Sequence, residues 1–472
     1  MASKNISFDQ IPSSIRKPGK YFEFNTKLAV RTLPNNLQKM LIIAQRLAAG
    51  TVAALVPTQV FSDAQAAEYF GNGSQAHLMC RAAIKANAYL DLTVCALDDG
   101  AGVAATGTVS IANAATSTGT LKLWVGNQKV EISIVTGDAA TAVATALKAE
   151  LDKYPDLPVS ATVNAAVVTL TAKNKGLIAH QIDVTYELTA KGTTATIVAL
   201  ANGTIDPDIS TALAKVFPEQ YHIIATPYND STSLTALRTH LDSVSGPMEQ
   251  RGGVGVYGYD GALASATTLA GEINSGRMLG AYLRGTRSPA YEFAAAFAAV
   301  MAYEEDPAKP LNTLALTGIH APAIDQRLSR TEQENTLNNG VAPLEVGPGE
   351  RVQIVRAIST YTEDAQGIND VSLLDITTIR TLDYVRKACR ERISLRFPRE
   401  KLSSKTPPKV RSELIDVLKK LEDLEIVEEV DANLPGLIVE RDEQDVNRLN
   451  AKIPTDVVNG LHVFAGRIDL LL

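Results

Sequence analysis

The sequence is short of most features that mark an enzyme, a nucleic-acid binder, a secreted scaffold or a membrane protein. Its three cysteines, Cys80, Cys95 and Cys389, show no CxxC spacing, so neither a disulfide framework nor a zinc site is specified and a reducing compartment is expected. Basic residues are not in excess. Lys and Arg number 45 against 52 Asp and Glu, a net charge of −7, which is the wrong sign for a protein whose work is neutralising phosphates; nucleic acid is not expected as a partner. No apolar run reaches the roughly 20 residues that span a bilayer. The most apolar window, Met40 to Pro57, is interrupted by Gln45, Arg46, Gly50 and Thr51, so no membrane insertion is expected. Residues 1 to 30 carry Lys4, Asp9, Arg16, Lys17 and two prolines rather than a continuous apolar stretch. The expectation is a chain without a signal peptide that stays in the cytoplasm where it is made.

Catalytic signatures are missing in the same way. The phosphate loop GxxxxGK[ST], the zinc pair HExxH and the nucleophile elbow GxSxG do not occur; Gly71-Asn-Gly73-Ser74-Gln75 has the serine but lacks the last glycine. The histidines, at positions 77, 180, 222, 240, 320 and 462, never fall at i, i+4, the spacing that puts two metal ligands on one helix face. One segment, Gly253-Val-Gly255-Val-Tyr-Gly258, matches the dinucleotide fingerprint GxGxxG. That motif works only as a turn between a strand and a helix, where bare backbone N–H groups meet pyrophosphate. Here the glycines alternate with Val254 and Val256, which places them inside a strand. No catalytic residue, cofactor site or metal site is therefore expected.

The residues that are present describe a folded protein. Hydrophobic residues make up 45% and charged residues 21% of the 472, enough for two to four domains with their own cores. Composition changes along the chain. Arginine is absent between Arg81 and Arg238, and from about Gly100 to Asp206 Ala, Thr, Val and Gly dominate. Leu121, Leu123 and Val125 alternate with Lys122 and Trp124, Val130, Ile132 and Ile134 with Glu131 and Ser133, and Ile182, Val184, Tyr186 and Leu188 with Asp183, Thr185 and Glu187. Period-two alternation means strands with one buried face. A helix over 138–154 with Asp138 as N-cap is predicted within this stretch. Residues 100–206 thus read as an inserted, mostly β domain, projecting outward and replaceable by a short linker.

On either side of the insertion, strands at 40–44, 92–96, 221–225, 254–259 and 278–283 alternate with helical segments at 63–88, 231–244, 262–274 and 290–303, the pattern of a largely parallel sheet covered on both faces. After Pro310 a capping box, Ser329-x-x-Glu332, opens a helix closed by Asn338, Asn339 and Gly340. Strands come next at 341–346 and 351–361, then a long helix at 372–397. One side of that helix carries Ile376, Ile379, Leu382, Val385, Cys389 and Ile393, the other Arg380, Arg386, Lys387, Arg390 and Arg392. A further helix spans 409–427. The fold class is an α/β core with an inserted mostly-β domain and an α+β C-terminal domain, flanked by extended N- and C-terminal arms. The boundaries are 1–27 for the first arm, 28–99 plus 207–328 for the α/β domain, 100–206 for the insertion, 329–460 for the C-terminal domain and 461–472 for the last arm.

Several stretches in this order resemble the contractile tail sheath proteins of Mu-like bacteriophages. They are Ile6-Ser-Phe8-Asp-Gln-Ile-Pro12 with Arg16-Lys-Pro18-Gly19-Lys-Tyr21-Phe22-Glu-Phe24-Asn25, then Phe70-Gly-Asn-Gly73-Ser74 with Met79 following. Further along come Ser329-Arg-Thr-Glu332, Gly367-Ile-Asn-Asp370, Arg396-Phe-Pro398-Arg399, Leu437-Ile-Val-Glu-Arg441, Asn447-Arg448-Leu449, Val457-Val458-Asn459 and Phe464-Ala465. The resemblance covers essentially the whole chain. It implies a structural subunit that polymerises as stacked hexameric rings around a tail tube and contracts to drive the tube through the host envelope. Its partners would be copies of itself, the tail tube protein, and baseplate and tail terminator proteins, and its place the virion tail, assembled in the host bacterial cytoplasm. The region 329–460 would face the inner tube. The sheath of a phage-tail-like bacteriocin or secretion system stays open as an alternative, as does a nucleotide-cofactor-binding α/β enzyme.

The ends of the chain fit that implication. Residues 5 to 25 are rich in aromatic and β-branched types, and Pro12 and Pro18 block long self-pairing. The tail ends in Leu470-Leu471-Leu472, an aggregation hazard unless it has an assigned partner. The residues expected to make arm contacts between subunits are Ile6, Phe8, Ile11, Tyr21, Phe22 and Phe24 at one end, and Val463, Phe464, Ile468, Leu470 and Leu472 at the other.

Overall fold

The computed structural model describes residues 16–22 and 33–471. In chain order the elements are β1 (Lys39–Gln45), β2 (Thr58–Val60), α1 (Asp63–Phe70), α2 (Gln75–Ala86) and β3 (Asp91–Leu97). The next stretch of chain holds β4 (Ala104–Ala112), β5 (Gly119–Val125), β6 (Gln128–Ile134), α3 (Ala140–Leu151), β7 (Val159–Asn164), β8 (Val167–Lys175), β9 (Val184–Leu188) and β10 (Thr194–Ala201). Then come α4 (Ser210–Val216), β11 (Ile223–Ala225), α5 (Ser231–Ser245), β12 (Val254–Tyr259), α6 (Leu263–Ile273), β13 (Met278–Tyr282) and α7 (Ala290–Tyr303). The last are α8 (Arg330–Asn338), β14 (Ala342–Gly347), β15 (Arg351–Ile354), α9 (Ile376–Arg396) and α10 (Thr406–Asp423). They form two bodies, a large one of residues 36–384 and 456–472 and a small one of 385–455 with the described residues up to 35.

The large body is built on an eight-stranded sheet in the order β15-β14-β13-β12-β11-β1-β3-β2. All neighbours are parallel except the outer pairs β14–β15 and β2–β3. A central parallel strand is covered on both faces, so it reads as a continuous apolar run. In β1, Met40, Ile42 and Ala44 enter one core with α1, α2 and α7, while Leu41 and Ile43 enter the opposite core with α4 and α5. Nearly every position of α7 from Ala290 to Ala302 is buried. Its alanines allow close approach, and Phe293 and Phe297 each contribute roughly 1.5–3 kcal/mol by burial.

Three local expectations meet the structure differently. The helix expected over 63–88 is broken into α1 and α2 at Gly71 and Gly73, both at positive φ, with Ser62 and Ser74 as separate N-caps. The expected N-cap Asp138 instead accepts a hydrogen bond from the Val135 N–H at 2.7 Å, and α3 starts two residues later. The capping box at Ser329 and Glu332 is present as expected.

The expected domain boundary at 329 does not mark the end of the sheet. Strand β14 extends the sheet beside β13, and Leu344, Val352, Ile354, Ile358 and Ile376 belong to the same core as α7. The large body continues to Tyr384, inside α9. A helix cap marks a local stop, whereas sheet membership is decided by pairing partners far away in sequence.

Residues 104–201 form a four-stranded sheet, β10-β4-β8-β7, and a three-stranded one, β6-β5-β9. With α3 they enclose a core that includes Leu121, Leu123, Val130, Leu147, Val168 and Leu170. The alternation along β5 is realised, with Leu121, Leu123 and Val125 buried and Lys122 and Trp124 at intermediate exposure. One residue of the stretch, Ile178, lies in the core of the sheet and α7. A short linker in its place would leave that position empty.

In the small body Val410, Leu414, Val417 and Leu421 of α10 are buried. The side chain of Arg392, only 4% exposed, pairs with both Glu413 and Asp416, and Arg396 also reaches Glu413. On the basic side of α9, Arg392 is thus interior whereas Arg390 is exposed. Arg380 is buried as well and donates to the Glu304 carbonyl at 2.6 Å.

Candidate assembly surfaces

The C-terminal segment leaves the large body at an anchored point. The Asn312 amide nitrogen donates to His462 Nδ1 at 2.9 Å, which leaves the proton on Nε2, 3.4 Å from Asp375 Oδ1. Arg356 holds Asp375 in a two-pronged contact at 2.9 and 2.7 Å. Burial and the Arg356 charge push the His462 pKa down, against the pull of Asp375. Beyond this anchor the residues to Leu471 lie outside any helix or strand. Phe464 is 87%, Ile468 98% and Leu471 91% exposed, and Val463 and Leu470 are also exposed. Its ion pair, Arg467 with Asp469 at 2.7 Å, is made within the segment.

At the other end Tyr21 and Phe22 are exposed, and the Tyr21 hydroxyl donates to the Lys17 carbonyl at 3.0 Å. Ile6, Phe8, Ile11, Phe24 and Leu472 lie outside the described residues.

Open strand edges are found in the small body. Ile438–Arg441 pairs antiparallel with Leu449–Lys452, and among the described residues neither strand has a second neighbour. A lone two-stranded hairpin is marginal in water and offers two rows of free N–H and C=O groups. The large sheet has no comparable edge. On its β15 side, Thr313 and Leu316 donate to the Ile354 and Val352 carbonyls at 2.8 Å, and on the other side β2 is only three residues long. The residue pattern announces the first hairpin strand but not the second; Leu449–Lys452 is half polar and carries no alternation strong enough to mark it.

No chemical centre accompanies these surfaces among the described residues. Gly255 and Gly258 of the GxGxxG match lie within β12, and a Cβ at Gly258 would stand 2.1 Å from the Ala290 carbonyl. That glycine lets α7 pack onto the sheet. The thiols of Cys95 and Cys389 are pushed up to about 11 by burial, and Cys80 further, which leaves them unreactive at neutral pH. Among the described residues no cluster of His, Cys, Asp and Glu could hold a metal ion, and no helix is long and apolar enough to cross a membrane.

The carboxyl group of Asp260 carries a pH signature. Burial pushes Asp260, just beyond β12, up to about 6; its own backbone N–H opposes this and the Asp183 charge adds to it. A folded pKa above the unfolded value gives stability that is present below about pH 4 and lost as pH rises through about 6. Asp260→Asn is therefore expected to raise stability by about 1–3 kcal/mol above pH 7 and to change it little below pH 4. Urea midpoints of the two proteins at both pH values check this.

The chain belongs to the phage tail sheath family: residues 202–360 match the phage tail sheath protein central domain and residues 369–470 the phage tail sheath C-terminal domain. It is 34% identical to the Mu-like prophage FluMu tail sheath protein of Haemophilus influenzae, over 99% of this chain and 100% of that one. The crystal structure of a sheath tail protein from Desulfitobacterium hafniense shares its fold with a TM-score of 0.53 at 14% identity, covering 94% of this chain and 97% of the other. A sheath tail protein from Listeria innocua does so with a TM-score of 0.52 at 16% identity, over 91% and 94%. The protein is a structural subunit of a phage tail sheath, and its family is not one of enzymes.

Proposed function

We propose that this subunit polymerises as stacked hexameric rings around the tail tube of a virion, and that contraction drives the tube through the host envelope. Its partners are copies of itself, the tube protein, and baseplate and terminator proteins, met during assembly in the host cytoplasm. The observation that carries this reading is the exposed apolar segment 463–471 in a chain that also presents a hairpin with two open edges. The arms, with Ile6, Phe8, Ile11, Tyr21, Phe22 and Phe24 at one end and Val463, Phe464, Ile468, Leu470 and Leu472 at the other, add strands to the hairpin of a neighbouring subunit. Main-chain hydrogen bonds then supply affinity and the apolar side chains register. The region 329–460 faces the tube, and the insertion, residues 100–206, projects outward.

Such a joint can stay closed while the bodies repack, which a one-shot contraction requires. Negative-stain microscopy of the purified protein is the test. Hollow cylinders with a regular axial repeat are expected; monomers at high protein concentration and across salt conditions would overturn the reading.

A further inference from the structure

The glycine-rich stretch Phe70–Ser74 opens a helix, as ligand-binding loops do, yet the assembly reading gives it no task. Helix α2 begins at Gln75, and a helix N-terminus offers unpaired N–H groups that suit an anion. Here the Gln75 N–H is already taken. It donates at 3.0 Å to Oδ1 of Asn174, a buried residue at the end of β8. The amide nitrogen of Asn174 donates in turn to the Arg46 carbonyl and to Asp99 Oδ1, both at 3.0 Å. Lys173 beside it donates to the Asn72 carbonyl at 3.1 Å and the Pro155 carbonyl at 2.6 Å. Gly73 has φ +76, and a Cβ there would lie 2.1 Å from the Leu157 carbonyl. The loop is therefore shaped to receive residues 155–174 of the insertion.

A second attachment lies at the N-terminus of α7. Asn127, in the turn between β5 and β6, donates to Glu292 Oε2 at 2.6 Å and accepts from the Ser288 hydroxyl at 2.7 Å. The Arg287 guanidinium stacks on Trp124 at 4.2 Å. Glu292 is in the first turn of α7 and buried, and burial raises its pKa while Arg81, Asn127 and Lys85 lower it. Arg81 belongs to α2 and also pairs with Asp156 of the insertion. The root of the insertion is tied as well: the Gly176 and Thr204 N–H groups both donate to the Val103 carbonyl, and the Ile178 N–H donates to Asp206.

We propose that the insertion is an intramolecular brace, holding the N-termini of α2 and α7 in fixed relation on one face of the sheet, with Phe70–Ser74 as its socket. Helices α2 and α7 share one core on that face. Packed helices respond to load by sliding past one another. A third element bonded to both N-termini resists that sliding, so the α/β body turns as one piece when the sheath contracts and carries the insertion with it. Asn174 and Asn127 are positioning residues in this device.

Hydrogen exchange on the full chain tests it, because a brace couples two helices whose attachments are made by different residues. Asn174→Ala removes the bond to the N-terminus of α2 and leaves the Asn127 contacts at α7 in place. It is expected to speed exchange in the first turn of α2 and also, roughly tenfold, in the first turn of α7 at Glu292 and Phe293. Asn127→Ala is expected to do the reverse. If each substitution loosens only its own helix, the attachments are independent and the brace is overturned. Leu241→Ala, on the opposite face of the sheet, controls for general destabilisation; an equal rise at α7 in that variant would also overturn the proposal. Should Asn174→Ala not fold, Lys173→Met, which removes the donor to the Asn72 and Pro155 carbonyls in the same socket, takes its place, and the same comparison applies.

Discussion

Deleting Val463–Leu472 is expected to abolish cylinders while leaving the monomer's unfolding unchanged. The anchor at His462, made by Asn312 with Asp375 close by, stays in place, and the removed side chains from Val463 to Leu471 are exposed. The cut therefore costs the monomer almost nothing. Assembly loses a strand, with several main-chain hydrogen bonds at about 0.5–1.5 kcal/mol each and apolar side chains worth roughly 1.5–3 kcal/mol apiece when fully buried. Repeated at each subunit contact, that sum separates a polymer from a solution of monomers. Microscopy and a melting curve on the same preparation read both halves of the expectation. Normal cylinders from the truncated chain would remove the tail from the assembly mechanism; a monomer that no longer folds would make it part of its own subunit.

Arg392→Ala is expected to destabilise the small body by about 3–5 kcal/mol. The guanidinium is buried between Glu413 and Asp416, so its removal leaves two carboxylates close together with little water. An unpaired buried charge costs far more than an exposed pair contributes. Lys420 also reaches Asp416 at 3.2 Å and Arg396 reaches Glu413, which sets the loss at the lower half of that range. Hydrogen exchange over 406–423 in increasing urea is the readout, since the two bodies need not unfold together. Opening of α10 at the wild-type urea concentration would show that the arginine is dispensable. Arg396→Ala, at a more exposed site, is expected to cost about 1 kcal/mol.

Exposed alternation and local punctuation carried much of the architecture into view. The run Met40–Ala44 is apolar at every position because the strand is covered on both faces, and the period of two along Leu121–Val125 marks a strand with one buried face. Ser329 with Glu332 announces a helix start through groups three residues apart. The valines between the glycines at 253–258 place that motif in a strand, where the structure has Gly255 and Gly258. The apolar tail is legible from its composition, and the structure leaves the side chains of 463–471 exposed.

By itself, then, the sequence determined whatever depends on neighbours within a few residues: element types, the mostly-β character of 104–201, the lack of catalytic motifs and the unusual chain end. Tertiary structure alone decided which charges are interior, where the sheet ends and what the glycine loop holds. Arg380 and Arg392 look like surface residues in a helical pattern, and only partners brought from Glu304, Glu413 and Asp416 make them buried. Strands β14 and β15 join the large sheet through pairing with β13, some 60 residues earlier. Asn174 reaches Gln75 across a separation of 99 residues. Periodicity and capping are properties of one segment of chain. Burial of a charge, membership of a sheet and the filling of a loop are properties of two segments meeting, and no local pattern records which two will meet.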